Sequence, residues 1–205
     1  LAAGRVVVAH LGSGASMCAI RNGQSIASTM GFSALDGLPM GTRCGQLDPG
    51  VVLYLLEHEG LTTREVSDLL YKDSGLKGLS GISNDMRLLE AAGTPEAQQA
   101  IDYFVIRIRR ELGAMAAILG GVDALVFCGG IGENAHRIRQ RICHDMDWIG
   151  LQLDDSANSV NSPVISSEQS RIKVFVVRTD EEAMIARHTL SILRDAELGA
   201  ELVQA

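Results

Sequence analysis

The sequence predicts an α/β domain whose mixed sheet opens with an antiparallel three-stranded meander and carries helices on both faces. Three β-rich runs come first, and helical and strand patterns alternate after them, an order typical of a mixed sheet with packed helices. Asn22-Gly23 separates the second run from the third and supplies both positive φ angles of a type I′ hairpin turn. The 205 residues, 46% of them hydrophobic, suffice for one domain with a sizeable core.

The elements follow from local patterns. Residues 5–9 are a short β-branched run and predict a buried strand, with further strands over 17–20 and 25–29. The remaining predicted elements are helices over 48–60 and 63–71, a shorter helix from 84 or 85, a long helix over 95–119, a strand over 122–128, a turn over 129–134, a helix over 135–147, a strand over 173–177 and a helix from 181. We expect residues 150–171 to form a polar surface connection, and Arg107, Arg109 and Arg110 to lie on a solvated face of the long helix.

Charge and composition exclude several classes of protein. The net charge of −7 provides no basic stripe for nucleic acid, and no run approaches the roughly 18–20 apolar residues that cross a membrane. Four scattered cysteines indicate reduced thiols, so we expect a cytoplasmic protein. The chain enters a core strand almost at once after Leu1, which favours a cut inside a longer chain; an ordinary processed terminus is the alternative.

Two glycine-rich turns are the first candidates for chemistry. One runs from His10 to Ser16 between two strands, and the other is Gly129–Asn134 between a strand and a helix. Glycine lets backbone N–H groups approach an anion or a flat purine closely, although a plain hairpin would also explain the first turn. The second turn lacks the G-x-G-x-x-G spacing and the βαβ context of a dinucleotide fold, so a nicotinamide cofactor is not expected.

Two charged positions are the next candidates. Arg43 lies in an irregular glycine-rich segment, where its planar five-donor fork could bind phosphoryl oxygens or form a simple surface salt bridge. Glu181 follows the last predicted strand and could hold Mg²⁺, although an acidic residue in the first turn of a helix is favoured in any case. Among the histidines, His10 is the candidate for a site, because it ends a buried strand at a glycine turn.

Taken in order, these segments resemble the acetokinase family of the acetate and sugar kinase, heat-shock ATPase and actin superfamily. The resemblance covers roughly residues 6–190 and rests on five motifs: His10–Ser16 (HLGSGAS), the stretch from Met30 to Pro49 with its GTR, Gly81–Arg87 (GISNDMR), Gly130–Asn134 (GIGEN) and Thr179–Arg187. It implies a ribonuclease H-like, actin-like ATPase domain. It also implies reversible phosphoryl transfer between ATP and acetate, with ADP and acetyl phosphate as products, and a homodimer.

The resemblance assigns roles to individual residues. It implies that Arg43 is catalytic and that Glu181 binds Mg²⁺. It implies that ATP or ADP is bound by His10, Leu11, Gly12, Ser13, Gly14, Asp85, Met86, Arg87, Gly130, Ile131, Gly132, Glu133 and Asn134. Three positions depart from the family pattern: Ser13 and Asp180 stand where Asn is usual, and Gln46 stands where Asp is usual.

The resemblance also defines the domain organisation and the alternatives. The family's N-terminal half carries a further catalytic Asp, Arg and His, and no segment here matches them. Residues 1–205 are therefore expected to be the single C-terminal, nucleotide-binding domain of a longer two-domain kinase, inactive alone. A propionate or butyrate kinase of the same family is one alternative, and a non-catalytic nucleotide-binding module is another.

Overall fold

The computed structural model describes residues 3–203, with side chains described as far as residue 194. Its strands are β1 (Arg5–Leu11), β2 (Ala15–Arg21), β3 (Gln24–Ser28), β4 (Ala124–Cys128) and β5 (Lys173–Val176). They form one sheet in the order β3-β2-β1-β4-β5. β1, β2 and β3 are the predicted antiparallel meander, while β4 runs parallel to both β1 and β5. The sheet is mixed, as predicted.

The helices are close to the predicted ranges, with three differences. They are α1 (Pro49–Glu57), α2 (Thr63–Lys72), α3 (Gly75–Ser80), α4 (Met86–Ala92), α5 (Pro95–Leu119), α6 (Gly129–Asn134), α7 (His136–Cys143), α8 (Asp155–Ser159) and α9 (Glu181–Val203). The segment expected to be a turn at 129–134 is the short helix α6, and α3 was not predicted. The segment 150–171, expected to be a polar surface connection, contains α8 and buries Leu151 and Ile165 in the core. None of these helices, within residues 3–203, is both long and apolar enough to cross a membrane.

Local capping explains where several helices begin. Asp48 accepts a hydrogen bond from the Gly50 N–H at 2.8 Å, and Pro49 occupies the first position of α1. Thr62 and Glu65 form a reciprocal capping box at the start of α2. These side chains satisfy backbone donors that have no partner inside the helix.

Helix α5 builds the core against one face of the sheet. Its buried stripe has the predicted 3–4 spacing and comprises Ile101, Phe104, Ile108, Leu112, Met115 and Leu119. The facing strands contribute buried residues at alternate positions, including Val7, Ala9, Leu11, Leu125 and Phe127. The opposite face of the sheet is covered less completely, since its residues Val8, Val126 and Phe175 are only half-buried.

The parallel pairing of β1 with β4 places the two glycine-rich segments side by side. His10 lies opposite Cys128, so both strands end at the same edge of the sheet. Gly129, which follows β4, has a φ of +77°, and a Cβ built on it would stand 2.8 Å from the Leu11 carbonyl oxygen. Only glycine allows α6 to start this close to the end of β1.

Arg139 is a charged side chain buried completely inside the fold. Its Nη1 donates to the carbonyl oxygens of Gly132 at 2.9 Å and Glu133 at 3.0 Å, at the end of α6. Its Nε and Nη2 donate to the side chain and backbone of Asn158, and Nη2 also donates to Asn161 Oδ1 at 2.6 Å. Burial lowers the pKa of this guanidinium, which an arginine tolerates without losing its charge. One side chain thus ties α6 and α7 to α8.

We expect Arg139→Met to lower the free energy of unfolding by about 3–5 kcal/mol, because it leaves several buried carbonyl oxygens without a donor. Arg141→Met is the matched control on the same helix. Arg141 is partly exposed and pairs with Asp102, so its loss should cost no more than about 1 kcal/mol. Urea unfolding at neutral pH measures both, and equal losses would contradict the role assigned to Arg139.

We also expect Gly129→Ala to destabilise the fold by more than about 1–2 kcal/mol, since it combines a positive φ with a clash against backbone. Gly130→Ala, one residue later, is the control: a Cβ there meets nothing within 4 Å, and alanine favours a helix over glycine by about 1 kcal/mol. Thermal unfolding compares the two variants. A Gly129→Ala chain as stable as the wild type would show that α6 can start without the close approach.

Candidate functional site

A cleft of about 750 Å³ opens at the edge of the sheet where β1 and β4 end. We call it the main cleft. It is lined by His10, Gly12, Ser13, Gly14, Asn84, Asp85, Met86, Arg87, Glu90, Gly129, Gly130, Ile131, Asn134, Ala135, Thr179 and Glu181. The β1–β2 turn forms one wall, α6 forms a second, and the start of α4 and the β5–α9 connection close the sides.

Eleven of the residues proposed from the sequence line this one cleft. They are His10, Gly12, Ser13, Gly14, Asp85, Met86, Arg87, Gly130, Ile131, Asn134 and Glu181. The two glycine-rich segments therefore open onto a shared cavity, although more than one hundred residues separate them in the sequence. The Gly12 N–H donates to the Gly14 carbonyl oxygen at 2.9 Å, which keeps the first segment a tight turn.

Three residues expected to contact the nucleotide do not line the cleft. Leu11 is fully buried, because alternate residues of β1 face the core. Gly132 is also buried, and its Cα faces the backbone of Phe127 and β1. The Glu133 carboxylate faces away from the cleft and accepts hydrogen bonds from the backbone N–H groups of Gly129 and Thr179. The sequence motif gave no indication of which members of the run face outward.

Five lining residues received no role from the sequence: Asn84, Glu90, Gly129, Ala135 and Thr179. Asn84, Gly129 and Thr179 lie inside segments that the sequence had already singled out, and Ala135 directly follows one. Glu90 lies one turn after Met86 and Arg87 on α4, and helical periodicity alone could have placed it on the same face.

Arg43 lies beside the main cleft, in an adjoining side cavity of about 410 Å³. His10 and Gly14 line both cavities, so the two spaces meet at the β1–β2 turn. A Cβ on Gly14 would stand 2.9 Å from Arg43 Nη2, and Arg43 Nη1 donates to the Ala34 carbonyl oxygen at 2.9 Å. The guanidinium is thus held against the glycine turn at the junction of the cavities.

The remaining wall of the side cavity is largely apolar. It includes the side chains of Ala15, Met30, Ala34 and Met40, together with the carboxylate of Asp36. Within residues 3–203, Arg43 takes part in no ion pair closer than 4.0 Å. The cavity therefore combines a cation that has no carboxylate partner with an apolar surface of small and flexible side chains.

Asp85 and Arg87 have a structural role as well as a place in the cleft. Asp85 is the N-cap of α4 and accepts from the Arg87 backbone N–H at 2.9 Å. It also accepts from Arg87 Nη2 at 2.6 Å, and this contact lowers the pKa of Asp85 and raises that of Arg87. The Arg87 side chain remains mostly exposed, so it presents donors to the cleft while its partner fixes its direction.

Cys128 ends β4 beside His10, does not line the cleft and lacks the properties of a nucleophile. It is buried, and its Sγ is 3.7 Å from His10 Nδ1. Burial raises the pKa of this thiol, and the carboxylates of Glu133 and Glu181 raise it further. The thiolate is therefore disfavoured, and Cys128 fills space between β1 and β4.

Glu181 is one residue that could hold a metal ion in the cleft. Within residues 3–203, no three His, Cys, Asp or Glu side chains come together as a metal site. Mg²⁺ commonly binds proteins through one or two carboxylates and takes its other ligands from substrate phosphates and water. Of the three acidic residues that line the cleft, Asp85 is paired with Arg87, so Glu181 and Glu90 are the carboxylates that fit that pattern.

The three departures from the family pattern have clear local surroundings. Ser13 lines the main cleft and its carbonyl oxygen accepts from the Gly41 N–H at 3.1 Å. Gln46 Oε1 accepts from both Arg107 and Arg110, so these arginines tie the Arg43 segment to α5, while Arg110 stays exposed and Arg107 and Arg109 are half-buried. Asp180 accepts from the Ala183 N–H at 2.9 Å, as the N-cap of α9.

Comparison with known proteins agrees with this fold. An acetate kinase of Methylocella silvestris is 71% identical over 192 residues, which are 94% of this chain and 48% of that protein. The crystal structure of Porphyromonas gingivalis acetate kinase superposes with a TM-score of 0.89 at 44% identity, over 93% of this chain and 49% of that one. The crystal structure of a propionate kinase from Francisella tularensis gives 0.84 at 40% identity, over 89% and 48%.

These similarities confirm the predicted α/β, actin-like ATPase fold class. The chain spans about half the length of the relatives it matches. The family model described as the acetokinase family matches residues 2–187, nearly the whole sequence. The chain belongs to the acetokinase family.

Proposed function

We propose that this chain is the nucleotide-binding part of an enzyme that transfers a phosphoryl group between ATP and acetate. The observation that carries the proposal is the cleft shared by residues 12–14 with Gly130, Ile131 and Asn134, with the Arg43 guanidinium against Gly14 in the adjoining side cavity. ATP is the nucleotide, acetate is the acceptor, and ADP and acetyl phosphate are the products of the reversible reaction. High similarity to named acetate kinases supports the same activity.

The arrangement of charge supports one orientation of the nucleotide. The Gly129 N–H at the start of α6 already donates to the Glu133 carboxylate, which makes that helix end a poor place for phosphate. Within the described residues, the Ser13 and Gly14 N–H groups donate to no protein acceptor, and they lie at the other wall next to Arg43. We therefore place the adenosine against α6, with Asp85, Met86 and Arg87 beside it, and the phosphates along the β1–β2 turn toward Arg43.

The side cavity supports a short carboxylic acid as the acceptor. A planar guanidinium binds a carboxylate through two parallel N–H donors, and the apolar wall around Met30, Ala34 and Met40 suits a methyl group. An acid oxygen held there would attack the γ-phosphorus in line, and the bond from that phosphorus to the oxygen of ADP would break. Arg43 would neutralise the charge that develops on the equatorial oxygens during the transfer.

Glu181 is the residue that we propose to hold Mg²⁺ when the nucleotide is bound. The metal would neutralise charge on the β- and γ-phosphates and fix their geometry. The chain's own contribution is a carboxylate whose position is set by the start of α9, next to Thr179. His10, at the meeting point of the two cavities, would orient the transferred group.

We infer that residues 1–205 are the C-terminal half of their parent protein. The chain covers 48% of the Methylocella silvestris relative, and its motifs match the part of the family pattern that follows the upstream catalytic Asp, Arg and His. A parent reading frame that continues downstream by a similar length, and not upstream, would overturn this placement. A cytoplasmic location and a homodimer joined through α5 and α9 stay predictions.

A propionate kinase is the second candidate, favoured by the likeness to the Francisella tularensis structure. The apolar wall of the side cavity is built partly from flexible methionines, which adapt to more than one chain length. Comparison of kcat/KM for acetate, propionate and butyrate in the full-length protein separates these acceptors. A non-catalytic nucleotide-binding module remains the alternative if none of the acids is phosphorylated.

We expect the chain to bind ADP, and Gly12→Val to weaken that binding by at least about tenfold, because a branched side chain would fill the turn that faces the phosphates. Isothermal titration calorimetry measures the affinity. Gly113→Val, at a position on α5 where a Cβ meets nothing within 4 Å, is the matched control and should bind as the wild type does. Equal weakening in both variants would contradict the assignment of the turn.

In the full-length protein, we expect Arg43→Ala to lower kcat for acetyl phosphate formation by about 10²–10³-fold, through the loss of a donor to the transition state. Arg43→Lys should recover only part of this loss, since it keeps the charge without the fork. Arg141→Ala, outside both cavities, is the control. Hydroxylamine trapping measures the product, and unchanged turnover in Arg43→Ala would reject a catalytic role.

A further inference from the structure

Glu133 occupies a position in the cleft wall that its motif does not explain. One carboxylate oxygen, Oε1, accepts three hydrogen bonds: from the Gly129 N–H at 3.1 Å, from the Thr179 N–H at 3.0 Å and from Thr179 Oγ1 at 2.9 Å. The carboxylate therefore joins the start of its own helix to the β5–α9 connection. It faces protein donors on both sides, and it does not line the cleft.

The β5–α9 connection has little else to hold it. Val177 still pairs with the Phe127 carbonyl oxygen at 2.9 Å, as a continuation of the sheet. Asp180 bonds only within α9, to Ala183 and through its carbonyl to Met184. Among the hydrogen bonds of the described residues, those from Thr179 to Glu133 are the ones that fix the segment 178–181 to the rest of the fold.

The other end of Glu133 is fixed in turn by the buried Arg139. Arg139 Nη1 donates to the Glu133 carbonyl oxygen at 3.0 Å and to that of Gly132 at 2.9 Å. This contact holds the end of a six-residue helix that contains three glycines and has little helical preference of its own. The position of the carboxylate is therefore set from the interior of the protein.

We propose that Glu133 is a positioning residue that places Glu181 at the edge of the cleft by clamping Thr179 onto α6. Glu181 follows Thr179 by two residues, so the hydrogen bonds from Thr179 to Glu133 fix the backbone from which the Glu181 side chain extends. The proposal rests on the proposed function, because Glu181 is taken as the carboxylate that meets Mg²⁺. Glu133 acts through Thr179 and touches neither nucleotide nor metal. A side chain that orients a metal ligand in this way commonly changes metal affinity by about 10–100-fold when it is removed.

The first test needs no ligand. Hydrogen exchange followed by mass spectrometry reports on the Thr179 amide, which donates to Glu133 in the wild type. We expect Glu133→Ala to speed exchange in the peptide that contains Thr179, and Glu133→Gln to restore protection, because the amide oxygen keeps the acceptor. Glu182→Ala, which removes an exposed carboxylate from the first turn of α9 outside the cleft, is the control and should exchange as the wild type does. Unchanged exchange in Glu133→Ala would overturn the clamp.

The second test measures ADP affinity by calorimetry in excess Mg²⁺ and again with a chelator. We expect Glu133→Ala to lose about tenfold or more of the Mg²⁺-dependent gain in affinity, while its metal-free affinity stays close to that of the wild type. Thr179→Val, which removes the Oγ1 donor, should show a smaller loss in the same direction. Thermal unfolding confirms that each variant is folded.

The outcomes separate the clamp from the proposed function. Faster exchange with an unchanged Mg²⁺-dependent gain would overturn the link from Glu133 to Glu181. Loss of metal-free affinity to the same degree would also overturn it, since that result indicates general damage to the cleft. If the wild-type chain binds no ADP, or binds it with the same affinity with and without Mg²⁺, the proposed function is overturned instead. This outcome is seen in the wild type and needs no variant.

Discussion

The parallel pairing of β1 with β4 is the contact on which the site depends. The two strands are more than one hundred residues apart in the sequence, yet His10 lies opposite Cys128. Both strands therefore end at the same edge of the sheet. A parallel pair cannot be closed by a tight turn and needs a long crossover, which here contains α1 to α5. The crossover also carries Arg43 and the start of α4 back to the same edge, where the ligand groups of an open α/β sheet usually gather.

Close backbone approach then turns this edge into a cleft. Gly129 packs against the Leu11 carbonyl oxygen, and Gly14 leaves room for the Arg43 guanidinium. Side chains at these positions would separate the two walls or displace the cation. The glycines therefore act as spacers that determine how near two loops and one arginine can come, and the cleft volume follows from those distances.

Much of the fold could be predicted from the sequence, because local signals were strong. Asn22-Gly23 indicated the hairpin, Pro49 and Pro95 marked helix starts, and the apolar spacing of α5 predicted its buried face. Helix α3 was missed because Gly75 and Gly78 oppose helix formation, and tertiary hydrogen bonds override that preference: the N–H groups of Leu76 and Lys77 donate to the carbonyl oxygens of Met40 and Gly41.

Most of the residues that line the cleft could be predicted from the sequence, but the residues that hold them in place could not. The motifs named most of the cleft, since the residues that face it are clustered in sequence. Arg139 could not be recognised, because one arginine among several on a charged helix gives no sign that it is fully buried. Its partners are backbone carbonyls and two asparagines about twenty residues away, and such contacts depend on the tertiary fold.

The hydrogen bonds that hold the residues around the cleft also explain how charge is distributed there. Two carboxylates beside the cleft accept from protein donors, Asp85 from Arg87 and Glu133 from Thr179 and Gly129, whereas Glu90 and Glu181 also line the cleft. Arg43 donates one hydrogen bond, to the Ala34 carbonyl oxygen, and its other N–H groups lie at the junction of the two cavities. The Arg43 guanidinium therefore attracts negative charge to the junction of the two cavities. A nucleotide bound as we propose would take its direction from this cation, because only one end of it carries charge that Arg43 can neutralise.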